Sequence, residues 1–517
     1  MKKILSVIAA IILAISMASC SESSSTADTS SNSSSSLSQS SEHGKDKNAP
    51  PDKPDGSRPD APPDGKGGEK PNGKGGDKPD GSRPDAPPDG KGGEKPDGKG
   101  GDKPDGKPGG RQSEVVYAAS TEIYKSQRDD NKTYESSEAD KSALMISTGD
   151  EVTITDPTVK KSGDSDGGDN CNFYGQNAAV LVKGGSTTTI SGGTITSDAD
   201  GANGAFCYGG NGGKNGSDGD GTTLVIKNTT ITTTGDGSGG IMTTGGGITK
   251  AENLTVTTSG RSSAAIRTDR GGGTVNVSGG TYTSNGLGSP AIYSTADITC
   301  ENATLVSNLS EGVCIEGLNS ITLNNCNLTA NNTKQNGNAK FLDTIMIYQS
   351  MSGDAASGTS SFTMKGGSLT SKNGHVFHVT NTNAVIDLSG VNITNEDSSK
   401  VLISVCDDGW NGGNNTATLN AQNQKLEGGV LVGDNSTLTL NLTQGSEFSG
   451  YVSGKITNAS GDTVSTEVGK VSVKLDSTSK WTLTADSYVT SFDGDASNVI
   501  SNGFKLYVNG KELTGTK

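Results

Sequence analysis

The arginines beyond position 128 are confined to one short stretch, Arg261, Arg267 and Arg270. Arg267 beside Asp269 is the pair best suited to a calcium-dependent polysaccharide lyase. There a cation held by carboxylates acidifies the sugar C5–H, and a basic side chain takes the proton. Carboxylates for such a cation stand at Asp164, Asp166 and Asp169 and again at Asp198 and Asp200, with Asp218 and Asp220 nearby. Their spacing is not that of an EF-hand, and solvated Gly-Asp loops give the same pattern. A glycosidase needs paired carboxylates as acid and base; Asp407-Asp408 is the only adjacent Asp pair after Asp130. No Ser-His-Asp or phosphate-loop signal stands in a suitable context. With only His43, His375 and His378, a histidine-rich metal centre is not expected. No cofactor is expected; calcium is the one cation these loops suit.

Binding chemistry is better represented. If the apolar anchors described below point inward, their neighbours point outward, because strand side chains alternate. That column reads Leu181, Tyr208, Met242, Arg267, Tyr293, Glu316, Tyr348, His378. Tyrosine rings pack on sugar faces, while Arg and Glu bond hydroxyls or carboxylates. Arg267, Tyr293, Glu316 and Tyr348 are therefore the glycan-binding candidates, together with Trp410 in the loop Asp407-Asp-Gly-Trp-Asn-Gly-Gly413. An exposed strand face carries Tyr and charge for packing reasons alone, and the column reads first as a plain surface.

The elements that must position these residues are strands. The chain has 517 residues, 75 of them Gly, with only 29% hydrophobic and 4% aromatic residues, too little for layered helices. A net charge of -15 argues against nucleic-acid binding. A six-residue unit recurs: apolar, any, Gly or Asn, any, any, apolar. Its third slot is Gly192, Asn228, Gly279, Asn302, Asn325, Gly366 and Gly390. These two residue types adopt positive φ most readily, so the slot is a bend between two short strands. A second set of anchors lies between the units: Val180, Cys207, Ile241, Ile266, Ile292, Ile315, Ile347, Phe377, Ile403 and Val430, with the tightest steps at roughly 23–26 residues. Periods of this length indicate a solenoid. Three short strands per period predict an all-β fold, a right-handed parallel β-helix of about ten or more turns. Residues 113–517 hold it, with 113–150 expected as the N-terminal cover and 465–517 as the C-terminal cap. Asn509-Gly510 is placed to close a terminal hairpin.

Residues 1–20 read as an export signal: Lys2 and Lys3, an apolar run from Ile4 to Met17, then Ala18-Ser19-Cys20. This resembles a bacterial lipoprotein signal, with Met17 where leucine is usual, and implies lipid attachment at Cys20. Residues 21–112 form a tether, Ser-rich at first and then built of Pro, Gly, Asp and Lys. In it Lys53–Asp77 recurs as Lys78–Asp102 with one change. Such a segment cannot bury enough apolar surface to order itself. The exported cysteines Cys171, Cys207, Cys300, Cys314, Cys326 and Cys406 share no slot in adjacent turns and read as apolar fillers; Cys171–Cys207 is the one pair left open.

Several runs resemble surface and secreted β-helix proteins of Gram-positive bacteria, pectin-lyase-like in fold. They are Asp269-Arg-Gly-Gly-Gly-Thr274, Ser289-Pro-Ala-Ile-Tyr-Ser-Thr295, Glu316-Gly-Leu-Asn-Ser320, Met346-Ile-Tyr-Gln-Ser-Met-Ser-Gly-Asp354 and Val379-Thr-Asn-Thr382. The resemblance implies fold and location more than chemistry. Gly374-His375 is similar to the Gly-His element of polygalacturonases, but it precedes the Asp pair instead of following it, and the closing Arg-Ile-Lys element is absent. The reading is a lipid-anchored surface protein, an adhesin or glycan-binding module without catalysis. Its partners would be the membrane, through the lipid, and extracellular polysaccharide or a neighbouring surface. It is expected to be monomeric. A calcium-dependent lyase is the alternative.

Overall fold

The computed structural model describes residues 115–517 apart from 167, 212–217, 351, 411–412 and 414. The signal segment, Cys20 and the tether lie outside the described residues. Three parallel sheets run along one rod: a first of 15 strands, a second of 14 and a third of 10. Up to residue 395 each turn contributes one strand to each sheet, as in Thr187–Ser191 (second), Thr194–Ser197 (third) and Ala205–Tyr208 (first). This is the parallel β-helix the repeats predict. At about 4.8 Å per turn the rod is on the order of 65 Å long, longer than ten turns would make it.

The repeat unit explains the corners. Ile190, Ile226, Ala251, Val277, Cys300, Leu323, Met364 and Leu388 stack in the second sheet. Ile195, Ile231, Val256, Tyr282, Leu305, Leu328, Leu369 and Ile393 stack in the third. Between the two stacks, all seven slot residues have positive φ, and Asn253 (φ 52) belongs to the same series. A Cβ on Gly366 would lie 2.5 Å from Asn325 Oδ1, and one on Gly279 2.3 Å from Asn253 Oδ1. At these two positions the Asn amide of the preceding turn leans over the next slot, into space that glycine leaves open. At another corner, serines carry the bend: Ser238 N donates to Ser263 Oγ and Ser263 N to Ser289 Oγ, each at 2.8 Å.

Regular strands run through both expected end segments. Ala119–Ile123, Gln127–Asp130 and Thr133–Ser136 form a complete turn, and Lys470–Leu475 and Lys480–Leu483 still belong to the long sheets. Trp481 is fully buried against Phe448. The hairpin Leu506–Val508 to Lys511–Glu512 closes through Asn509-Gly510, both at positive φ. All six cysteines of the rod are buried and outside any disulfide, Cys171 and Cys207 included.

The third sheet stops at Asn392–Asn395. From there the turns are two-sided, and the strands lengthen to 8 residues, Asn415–Gln422, Lys425–Val432 and Ser436–Thr443.

Candidate functional site

The outer face of the first sheet is not the open surface that strand alternation suggests. Its rank runs Leu181, Phe206, Met242, Arg267, Tyr293, Cys314, Met346, His378, Ser404. Tyr208, Glu316 and Tyr348 stand two residues further along, where Glu316 pairs with Tyr348. Cys207, Ile315 and Ile347 are likewise one inward rank beyond the other anchors. A shift of two residues preserves the inward–outward alternation, so the repeat pattern could not reveal it.

Loops also cover this face, and the expected exposure is corrected. Arg267 and Tyr293 are only 6% and 9% exposed, Glu316 and Tyr348 1% and 4%. Arg267 pairs with Asp269 at 2.8 Å and donates to Asn172 Oδ1 at 3.1 Å, on the short helix Asp169–Tyr174. Burial pushes the Asp269 carboxyl up to about 7, against the lowering effect of Arg267. Arg270 pairs with Asp354 and lies 4.0 Å over the Phe173 ring. Glu316 pairs with no cation among the described residues. It accepts from Tyr293 at 2.6 Å, Tyr348 at 3.3 Å and Ser350, and burial holds its carboxyl above the usual range. Trp410 packs on Tyr348 with ring centres 4.9 Å apart. Four of the five glycan candidates therefore gather in one network, buried except for the half-buried Trp410, with Arg267 6.0 Å from the Tyr293 ring. The cavity beside them, lined by Tyr293, Glu311, Tyr348 and Trp410, measures only ≈ 50 Å³.

Further along, the structure assembles a constellation absent from any local motif. His378 Nε2 lies 3.1 Å from Asp408 Oδ2 and its Nδ1 2.8 Å from Ser404 Oγ, while His375 Nδ1 is 2.7 Å from the same hydroxyl. One proton assignment satisfies all three bonds: His375 donates to Ser404, Ser404 to His378, and His378 to Asp408. Burial pushes His375 down to about 3, which keeps it neutral. These are the groups of a serine nucleophile relay, yet Ser404 and His378 are 0% exposed and the Phe341 ring is stacked 4.5 Å above His378. With no path to the hydroxyl, the relay holds the 331–342 and 407–410 loops in place. Asp408 serves the same end by accepting from Lys340 N at 2.7 Å.

The acidic loops are partly brought together. Asp164, Asp166 and Asp200 line one pocket of ≈ 580 Å³ with Asp140, Asp236 and Arg261; Asp169 begins the helix, and Asp198 is not among the lining residues. Asp164 accepts from Asp200 N, Asp200 from Asp236 N and Asp236 from Arg261 N, one turn after another. Among the described residues, no three His, Cys, Asp or Glu side chains converge as a metal cage.

A further concave site lies where the third sheet ends. A cleft of ≈ 770 Å³ is lined by Asn392, Asn395, Lys400, Lys425, Glu427 and Tyr451, among others. Gln424 stands in for the missing strand: its amide donates to Val391 O and accepts from Val391 N, both at 2.8 Å. The Tyr451 ring packs across Gly429, where a Cβ would come within 2.8 Å of it. Tyr451 is half-buried, leaving part of the ring to the cleft. Its sequence signal is the failure of the repeat after residue 395, which marks a change of cross-section.

Comparison with protein-family models, with curated proteins and with solved structures returned no match.

Proposed function

We propose that the protein is a lipid-anchored cell-surface β-helix, pectin-lyase-like in fold, that binds extended extracellular polysaccharide without catalysis. The observation that carries this reading is the cleft at the end of the third sheet. It combines an aromatic platform, Tyr451, with amides at Asn392 and Asn395 and charges of both signs at Lys400, Lys425 and Glu427. Tyrosine offers an apolar face to sugar C–H groups, and the polar rim bonds hydroxyls. Arg267–Asp269, Arg270–Asp354 and His378–Asp408 are each closed on one another and largely buried, which leaves these pairs unsuited to turnover. The Lys2-Lys3, apolar-run and Cys20 pattern supports membrane attachment through lipid, the tether carrying the rod outward.

The acidic pocket favours a second reading, the calcium-dependent lyase, because Asp164, Asp200 and Asp236 share a wall with Arg261. One experiment separates the two. The purified full-length chain is applied to an array of neutral and uronate polysaccharides, with and without calcium, and the eluates are read for unsaturated uronate absorbance. Retention without unsaturated product is the expected result. Calcium-dependent absorbance would establish the lyase instead, and absence of retention on every glycan would exclude the binding reading.

A further inference from the structure

A second set of carboxyls is buried beside the first sheet, apart from those paired with arginine. Gly312 N donates to Thr344 O, and Val313 pairs with Ile345, so Glu311 stands beside Asp343 on neighbouring strands about 4.8 Å apart. Glu311 is 6% and Asp343 1% exposed. Asn332, equally buried, joins them: its side chain bonds to the Glu311 carboxyl, and its Nδ2 donates to Asp343 O at 3.2 Å. Glu311 also accepts from Ser310 Oγ.

Asp343 is the unusual member. Among the described residues neither of its carboxyl oxygens has a hydrogen-bond partner, and Oδ1 of Asn332 has none either. The charges acting on Asp343 are Glu311 and Asp408, both of its own sign. No Lys or Arg among the described residues pairs with Asp343 or Glu311, and the adjoining His375 is neutral. A buried carboxylate with neither counter-charge nor donors is strongly disfavoured. Protonation alone does not relieve it, because the O–H so formed has no acceptor. A cation meets the bare oxygens and offsets their charge together. The donors are all hard oxygens, and two carboxylates match a divalent ion. Calcium accepts roughly six to eight oxygens in flexible geometry, whereas magnesium demands a near-ideal octahedron.

We propose that Asp343, Glu311 and the side-chain carbonyl of Asn332 hold a structural calcium ion that ties the 331–342 loop to the first sheet. With two acidic side chains, the site takes the rest of its oxygens from main chain or solvent. It is separate from the acidic pocket, where Asp164, Asp200 and Asp236 already accept main-chain N–H groups.

The test uses the purified full-length chain. Calcium content is measured after dialysis, thermal unfolding is followed with calcium or with sodium at equal ionic strength, and terbium, a luminescent stand-in for calcium, is excited through tryptophan. The chain has two tryptophans. Trp410 lines the same small cavity as Glu311, whereas Trp481 lies five strands further along the first sheet than Asp343. The wild type is expected to retain calcium, to melt higher with it, and to show terbium emission that calcium displaces. Asp343→Asn should bind calcium at least tenfold more weakly and lose both the emission and the melting shift. Trp410→Phe should lose the emission and keep the shift, because the indole reports on the site without supplying a donor. Circular dichroism checks each fold, and Glu311→Gln, also expected to bind at least tenfold more weakly, serves if Asp343→Asn does not fold. A wild type with neither a calcium-dependent shift nor terbium emission overturns the proposal. A shift that survives intact in Asp343→Asn and Glu311→Gln overturns it as well and gives the ion to the acidic pocket.

Discussion

Asn325 shows how a single slot carries the turn. Its φ of 51 suits Asn and Gly and penalises a β-branched side chain. Asn325→Val should cost about 1–3 kcal/mol, while Asn325→Gly should cost little; equilibrium urea unfolding compares them, and equal costs would mean that backbone strain is not the cause. Asp269 makes a different prediction at the same scale. Its folded pKa is pushed up to about 7 by burial, from an ordinary 3.8. The folded state thus holds this proton more tightly than the unfolded chain. Its contribution to stability is complete below about pH 4 and is lost as pH rises to about 7, by up to about 4 kcal/mol. Glu316, held high by burial as well, acts in the same direction. The urea midpoint should therefore fall between pH 4.5 and 7.5, and Asp269→Asn should flatten that slope even though it leaves Arg267 without its counter-ion.

Among the elements, the covering loops set what the sheets can present. Phe341 stacks on His378 and packs with Val401, Cys406, Leu431 and Ile456. Phe341→Ala should loosen the 331–342 loop and expose Cys406, now 1% exposed, to thiol reagents at least tenfold faster. Labelling of Cys406 at the wild-type rate would show that another contact holds the loop. This layer is also where the sequence was least legible. The slot residues and the alternation of Ile190 with Ile195 are local, so the strands and the bends could be read directly. The burial of Tyr293 and Glu316 depends on loops distant in sequence, and the two-residue displacement of Glu316 and Tyr348 leaves no trace in a period-two pattern. The meeting of His378, Ser404 and Asp408 likewise needs three successive segments folded over one another. Tyr451 could be found only by noticing that the third strand of the turn disappears after residue 395.

For the whole molecule, we propose a rod attached to a membrane, with a covered first sheet and a sugar-binding cleft where the third sheet ends. Lipid on Cys20 is proposed to fix it, so Cys20→Ala should move the protein from the membrane fraction into the soluble one; continued membrane partition would place the anchor elsewhere. The central claim is that sugar is met at the cleft and not on the buried column first suggested by alternation. The most direct measurement is retention of the full-length chain on the polysaccharide that binds it best, comparing Tyr451→Ala with Tyr293→Phe. Tyr451→Ala is expected to weaken retention at least tenfold, consistent with loss of one stacked ring, while Tyr293→Phe leaves it unchanged. Full retention by Tyr451→Ala, with loss in Tyr293→Phe, would contradict the account and return the site to the covered face.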